Sequence, residues 1–176
     1  DAGVRYVRFP RHVGLTAALD AGYRRGTAPI VVTLDSDLQS DPADIPRLVA
    51  ALHDADAATG WRVHRHDTWL KRFSSRVANV VRNRLTRETV RDSACTLRAI
   101  RRPCTGALPP YDGLHRFVPT LLRISGYKVV EVPVTHRPRR FGESKFGVRN
   151  RAARAFRDLL FVRWLQHSVL RYAIEP

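Results

Sequence analysis

Hydrophobic and polar positions alternate along residues 4–9 (VRYVRF), and a period of two predicts a strand. Residues 14–25 (GLTAALDAGYRR) change period. Leu15, Ala18, Leu19 and Gly22 fall on one helical face, and Gly26 ends the helix. The run 30–33 (IVVT), continued by Leu34, is unbroken and β-branched, which predicts a buried strand. Ser40, Asp41 and Pro42 supply cap and first-turn chemistry for a helix over 42–53, with Ile45, Leu48, Val49 and Leu52 apolar. Residues 57–60 predict a short strand that ends in Trp61 and Arg62. Strands and helices in strict alternation argue for an α/β fold, with a mostly parallel sheet, right-handed crossovers and helices on both faces.

Beyond Arg62 the chain becomes more polar. Residues 63–68 (VHRHDT) read as a loop, and 69–85 as an Arg-rich helix with Leu70, Phe73, Val77, Val80 and Val81 apolar. Residues 91–101 (RDSACTLRAIR) predict a turn followed by a short strand, 103–110 a loop, and 113–125 a helix closed by Gly126. Two strands follow, 127–132 and 134–137, broken by Pro133 because proline cannot donate to a ladder. Residues 138–147 (PRRFGESKFG) form a basic loop. The last predicted helix, 149–172, sets Phe156, Leu159, Leu160 and Trp164 against Arg151, Arg154, Arg157 and Arg163. The expected organisation is a domain over 1–148 and an amphipathic, membrane-proximal helix over 149–176. There is no internal repeat and no low-complexity tract.

Composition bounds this picture. At 176 residues, 44% hydrophobic and 27% charged, the chain can bury a core and is not a disordered segment. It begins at Asp1 and contains no Met, so it is read as truncated at its amino terminus. No apolar run approaches the length of a membrane span. Cys95 and Cys104 lack metal-site spacing and are expected to be reduced thiols. None of the seven histidines shows metal-site spacing either, and they are read as structural or surface residues.

Charge changes the picture more. The formal net charge is +15, and it is unevenly spread. Residues 1–60 hold 6 basic and 8 acidic residues; residues 61–176 hold 25 and 8. Only Lys71, Lys128 and Lys145 are lysines, so the cations are mostly guanidinium forks suited to gripping phosphate. Nucleic acid, phospholipid headgroups and phosphorylated substrates all fit this balance.

The candidate chemistry starts where the second strand ends. Asp35 and Asp37, with Gln39 close behind, lie at the carboxyl end of a predicted parallel strand, where open α/β sheets bind ligands. Hard oxygen donors there suit Mg²⁺ or Mn²⁺ held jointly with substrate phosphates; the alternative is a turn whose acids cap the next helix. Arg62, Arg65, Lys71, Arg72 and Arg76, with Ser75, form either a phosphate clamp or a solvated basic face. Asp92, an acid within a basic segment, is either a general base or an Arg-paired residue fixing a turn. The loop with Arg139, Arg140, Ser144 and Lys145 can close over a diphosphate. The helix over 149–172 can lie on an anionic membrane or pack on the domain.

Taken in order, the motifs HVGLTAAL, VTLDSDLQSDPADIP, TGWRVHRHD, LKRFSSRVAN, RDSACTLRA, DGLHRF, GYKVVEVPVTHRPR and GESKFG resemble the family 2 glycosyltransferases of the polyprenyl-phosphate type, the dolichyl-phosphate mannosyltransferase and undecaprenyl-phosphate glycosyltransferase group. The resemblance implies a GT-A, Rossmann-like fold. It also implies inverting, metal-dependent transfer of a sugar from a GDP- or UDP-linked donor to a polyprenyl phosphate, at the cytoplasmic face of a membrane. Asp35, Asp37 and Gln39 match the family's metal- and donor-binding motif, with Mg²⁺ or Mn²⁺ as cofactor. Arg140, Ser144 and Lys145 match its basic donor loop. Arg62, Lys71, Arg72 and Ser75 fall where the acceptor phosphate is expected, and Asp92 matches an acid near the reaction centre. Relatives often carry glycine where this chain has Ala94 and Thr96, and the family's upstream nucleotide-holding segment precedes Asp1. Two alternatives stand beside this reading: a basic nucleic-acid-binding domain, and a glycosyltransferase remnant that keeps the fold without catalysis. The resemblance itself leads to no expectation of nucleic acid.

Overall fold

The computed structural model describes residues 3–63, 69–137 and 148–169, and of residues 69–75 and 148–152 the backbone alone. Four strands form one sheet: β1 (Ile30–Thr33), β2 (Ala57–Arg62), β3 (Arg98–Arg101) and β4 (Val129–Val134), in the order β1-β3-β2-β4. β3 is antiparallel to both β1 and β2, and β4 is parallel to β2. Three strands therefore share a direction and the fourth runs against them. The alternation of strands and helices anticipates the shared direction of β1, β2 and β4. It does not anticipate β3, whose chain enters from a turn rather than from a crossover helix.

Strand residues send alternate side chains to opposite faces, and the core divides accordingly. Ala57 and Ile100 face a cluster with Tyr23 of α1 (Gly14–Arg25), Leu121 and Leu122 of α5 (Val118–Ile124), and Leu159 and Val162 of α6 (Val148–Ser168). Ala58 and Ala99 face the other way, onto Leu48 of α2 (Ile45–Ala50) and onto Leu52, Leu97 and Val134. Helices thus cover both faces. The remaining α-helices are α3 (Trp69–Thr86) and the short α4 (Arg102–Thr105), the latter overlapping the stretch 103–110 expected to be a loop.

Several expectations are corrected. Residues 4–9 form no strand: the described residues offer no neighbouring strand to pair with, and Val4 and Tyr6 are 85% and 88% exposed. Pro133 does not break β4, which runs through it opposite Trp61. β4 is the edge of the sheet, where a missing N–H leaves no ladder bond unmade. The helix expected over 113–125 is a 3₁₀ turn, Leu114–Arg116, followed by α5. On α3 the valines at 77, 80 and 81 lie exposed while Arg82 and Thr86 are buried. The Arg82 guanidinium donates to the carbonyl of Val90 and to the Asn83 side chain, so the helix turns its polar edge inward to tie down the segment that follows.

One glycine is set by close approach. A Cβ at Gly60 on β2 would lie 2.8 Å from Val134 Cγ2 and 2.9 Å from Cys95 Sγ. Gly60→Ala is expected to cost about 1–3 kcal/mol through overpacking, read as a lowered midpoint in urea unfolding. An unchanged midpoint would show that the contact yields freely.

Candidate functional site

β1 leaves the core at Thr33 and delivers Asp35 and Asp37 to a cleft at the carboxyl ends of β1 and β2. Asp35, Asp37, Gln39 and Arg62 all line this cleft, so four residues singled out in the sequence meet there. Neither Asp35 nor Asp37 caps the next helix. Asp41 does that, accepting the Ala43 N–H at 3.1 Å. Asp37 Oδ1 instead accepts the Gln39 N–H at 3.1 Å, across Leu38, which has φ +61°. A leucine held in the left-handed region is an uncommon conformation, of the kind that gathers at functional sites. Asp35 Oδ2 accepts the Thr96 hydroxyl at 2.8 Å.

A short bridge closes one side. Ser40 pairs with His136, the Arg137 N–H donates to the Gln39 carbonyl at 2.8 Å, and Arg137 pairs with Asp41. Asp44, 6% exposed, accepts the Thr135 N–H at 2.7 Å and holds this segment against the acids. His136 thereby comes to line the cleft. Sequence reasoning treats it as a structural or surface residue, because a single histidine carries no metal-site spacing signal.

The opposite wall is built on Asp92. Its carboxylate is 5% exposed as a residue and takes both prongs of Arg62, Nε at 2.6 Å and Nη2 at 2.9 Å. It also accepts the Arg62 N–H at 3.3 Å and the Ala94 N–H at 3.2 Å. Glu131 of β4 accepts the Arg91 N–H at 2.8 Å and so fixes the start of this turn. The turn forms without a left-handed residue at Ala94 or Thr96, so it does not require the glycines expected there. Cys95 lies beneath, and burial pushes its thiol above the usual range, with Asp92 adding to the effect. That thiol is protonated packing, not a nucleophile.

Arg98 on β3 is wholly buried, and its guanidinium donates to the carbonyls of Ser93 and His115 at 3.4 and 3.1 Å. Burial lowers its pKa, while Tyr23, Cys95, Asp35 and Asp92 oppose that shift. A buried arginine inside a strand has no signature in the hydrophobic pattern, and sequence reasoning missed it.

Lys71, Arg72 and Ser75 fall on the first turns of α3, but their side chains lie outside the described residues, as do Arg65, Arg140, Ser144 and Lys145. Among the described residues no three His, Cys, Asp or Glu side chains gather closely enough to hold a metal by themselves. No described helix is long and apolar enough to cross a membrane.

Known proteins resemble this chain in sequence and in fold. The chain is 38% identical over 143 residues to the undecaprenyl-phosphate 4-deoxy-4-formamido-L-arabinose transferase of Sodalis glossinidius, covering 81% of this chain and 44% of that protein. It is 33% identical over 178 residues to the dodecaprenyl-phosphate galacturonate synthase of Rhizobium johnstonii, covering 98% of this chain and 51% of that one. The chain thus spans about half the length of these curated relatives. Its fold resembles glucosyl-3-phosphoglycerate synthase from Mycobacterium tuberculosis, solved with Mn²⁺, UDP-glucose and phosphoglyceric acid. The TM-score is 0.62 at 18% identity, over 93% of this chain and 58% of that one. The family model for glycosyl transferase family 2 matches residues 1–106, and the chain belongs to that family.

Proposed function

We propose that the intact protein transfers a sugar from a nucleoside-diphosphate donor to a polyprenyl phosphate, with inversion at the anomeric carbon, on the cytoplasmic face of a membrane. The observation that carries this reading is one cleft lined by Asp35, Asp37 and Gln39 together with Arg62. Two anionic substrates must meet for such a transfer, and this cleft sets oxygen donors for a cation beside a guanidinium. The names of the two curated relatives supply the acceptor class.

The donor set fits Mg²⁺ or Mn²⁺. Both ions take oxygen ligands, and Mg²⁺ is commonly held by one or two carboxylates plus substrate phosphates rather than by a complete protein cage. Asp35, Asp37 and Gln39 are the residues that would hold it. A bound ion would neutralise charge gathering on the departing diphosphate. Related glucosyl-3-phosphoglycerate synthase structures contain UDP with Mn²⁺ or with Mg²⁺.

In the step itself, a phosphate oxygen of the lipid forms a bond to the anomeric carbon. The bond from that carbon to the donor diphosphate breaks, and its electron pair leaves with the nucleoside diphosphate. The attacking oxygen is already an anion at neutral pH, so no general base is required. Of the two roles open to Asp92, its twofold pairing with Arg62 favours positioning: it aims the guanidinium that meets the acceptor phosphate. Lys71, Arg72 and Ser75 are proposed to complete that phosphate site. Arg140, Ser144 and Lys145 are proposed to grip the donor diphosphate.

Membrane contact is assigned to α6. Leu159 and Val162 pack into the core, while Phe156, Leu160 and Trp164, at i, i+4 and i+8, remain about half exposed. Arg154 and Arg157 stand exposed beside them. An apolar stripe flanked by arginines suits an anionic bilayer surface.

The test is transfer of labelled sugar from UDP- and GDP-sugars to a polyprenyl phosphate in vesicles containing the intact protein. Chelator-sensitive formation of a lipid-linked sugar is expected. Failure of the intact protein to bind either donor class with Mn²⁺ would overturn the reading and leave a fold without catalysis. Salt-sensitive binding of RNA or DNA in place of donor would favour a nucleic-acid role.

A further inference from the structure

We propose that Thr96 is a positioning residue for the cation site: its hydroxyl fixes Asp35 in the orientation that presents the other carboxylate oxygen to the ion. The inference rests on the metal-dependent reading above and deepens it.

The two acids are held by different devices. Asp37 is oriented locally, by the Gln39 N–H two residues on. Asp35 is oriented from across the sheet. Thr96 Oγ1 donates to Asp35 Oδ2 at 2.8 Å, over a separation of 61 residues. Among the described residues one Asp35 oxygen, Oδ2, accepts a hydrogen bond and Oδ1 accepts none. A single donor on one carboxylate oxygen restricts the rotation that would otherwise let both oxygens wander, and such support of a ligand tunes metal affinity.

Thr96 is itself held in place. Its carbonyl accepts the Thr33 hydroxyl at 2.6 Å, and Thr33 is 8% exposed and two residues before Asp35. The next carbonyl, of the wholly buried Leu97, accepts the Gly60 N–H at 2.9 Å. A β-branched side chain has few χ1 choices, so anchoring the backbone anchors the hydroxyl. The segment from 92 to 97 therefore serves both walls of the cleft. Asp92 aims Arg62 on one side, and Thr96 aims Asp35 on the other. Thr96 also lines the cleft, together with Asp35, Asp37 and Gln39.

The experiment is a Mn²⁺ titration of the intact protein, with and without UDP, followed by the free-Mn²⁺ electron paramagnetic resonance signal. It compares wild type, Thr96→Val, Thr96→Ser and Asp37→Asn, with unfolding midpoints measured in parallel. Thr96→Val keeps shape and removes the donor; it is expected to weaken Mn²⁺ binding about tenfold. Thr96→Ser restores the hydroxyl and is expected to bind within about twofold of wild type on the same principle. If Thr96→Val does not fold, Thr96→Ala takes its place, with the same expectation. Val or Ala binding Mn²⁺ as tightly as wild type, or Ser no better than Val, would overturn the proposal. Should Asp37→Asn lose the ion while Thr96→Val keeps it, the metal reading survives and the role of Thr96 falls. A wild-type protein that takes up no Mn²⁺ even with UDP overturns both.

Discussion

Replacing Asp37 by Asn in the intact protein should lower metal-dependent sugar transfer by at least about 100-fold, on the scale of losing a group that stabilises charge in the transition state. The change is chosen for what it preserves. Asp37 Oδ1 accepts the Gln39 N–H at 3.1 Å, and an Asn carbonyl oxygen can accept the same bond. The turn across Leu38 and the bridge from Gln39 to Arg137 should therefore persist. What disappears is the negative charge and its affinity for a hard cation. The expected signature is lost turnover with an unfolding midpoint near that of wild type. Transfer that continues at the wild-type rate, and remains sensitive to chelator, would remove Asp37 from the cation site.

The second large effect is on stability. Asp92→Asn should destabilise the protein by about 3–5 kcal/mol, because breaking a buried pair strands the remaining charge. The side chains of Arg62 and Asp92 are 15% and 7% exposed, and the carboxylate also closes the turn at Ala94. Urea unfolding measures the loss. The double variant Arg62→Met with Asp92→Leu should recover part of it, since it leaves no unpaired charge although the Arg62 and Ala94 N–H groups lose their acceptor. This separates the two roles open to Asp92. A general base would show lost transfer at unchanged stability. A residue that aims Arg62 would show lost stability, and in any folded fraction a raised KM for the lipid phosphate. If Asp92→Asn leaves the midpoint in place, the structural role is wrong.

The two walls of the cleft differ in how they were legible. Asp35, Asp37 and Gln39 stand together in the chain, beside a strand that hydrophobicity alone marks as buried. Local pattern and site coincide there, so the sequence places the acids at a strand's carboxyl end. Arg62 was legible for the same reason, as the last residue of β2. The opposite wall is assembled from distant segments. Nothing in the spacing of residues 92–97 indicates that Thr96 would reach Asp35, or that Asp92 would take both prongs of Arg62.

By itself the sequence determined the alternation of strands and helices, the carboxylates at the end of β1, and the split between an acidic first third and a basic remainder. These follow from short-range periodicity and from counting charge. Only the tertiary structure decided that β3 runs against its neighbours, that residues 4–9 stay unpaired, that Pro133 is tolerated, and that Arg82 and Arg98 turn inward while Val77, Val80 and Val81 face out. Each depends on which partner lies alongside. A strand exists only with a neighbour, a proline is harmless only at an edge, and an arginine is buried only where carbonyls wait to receive it.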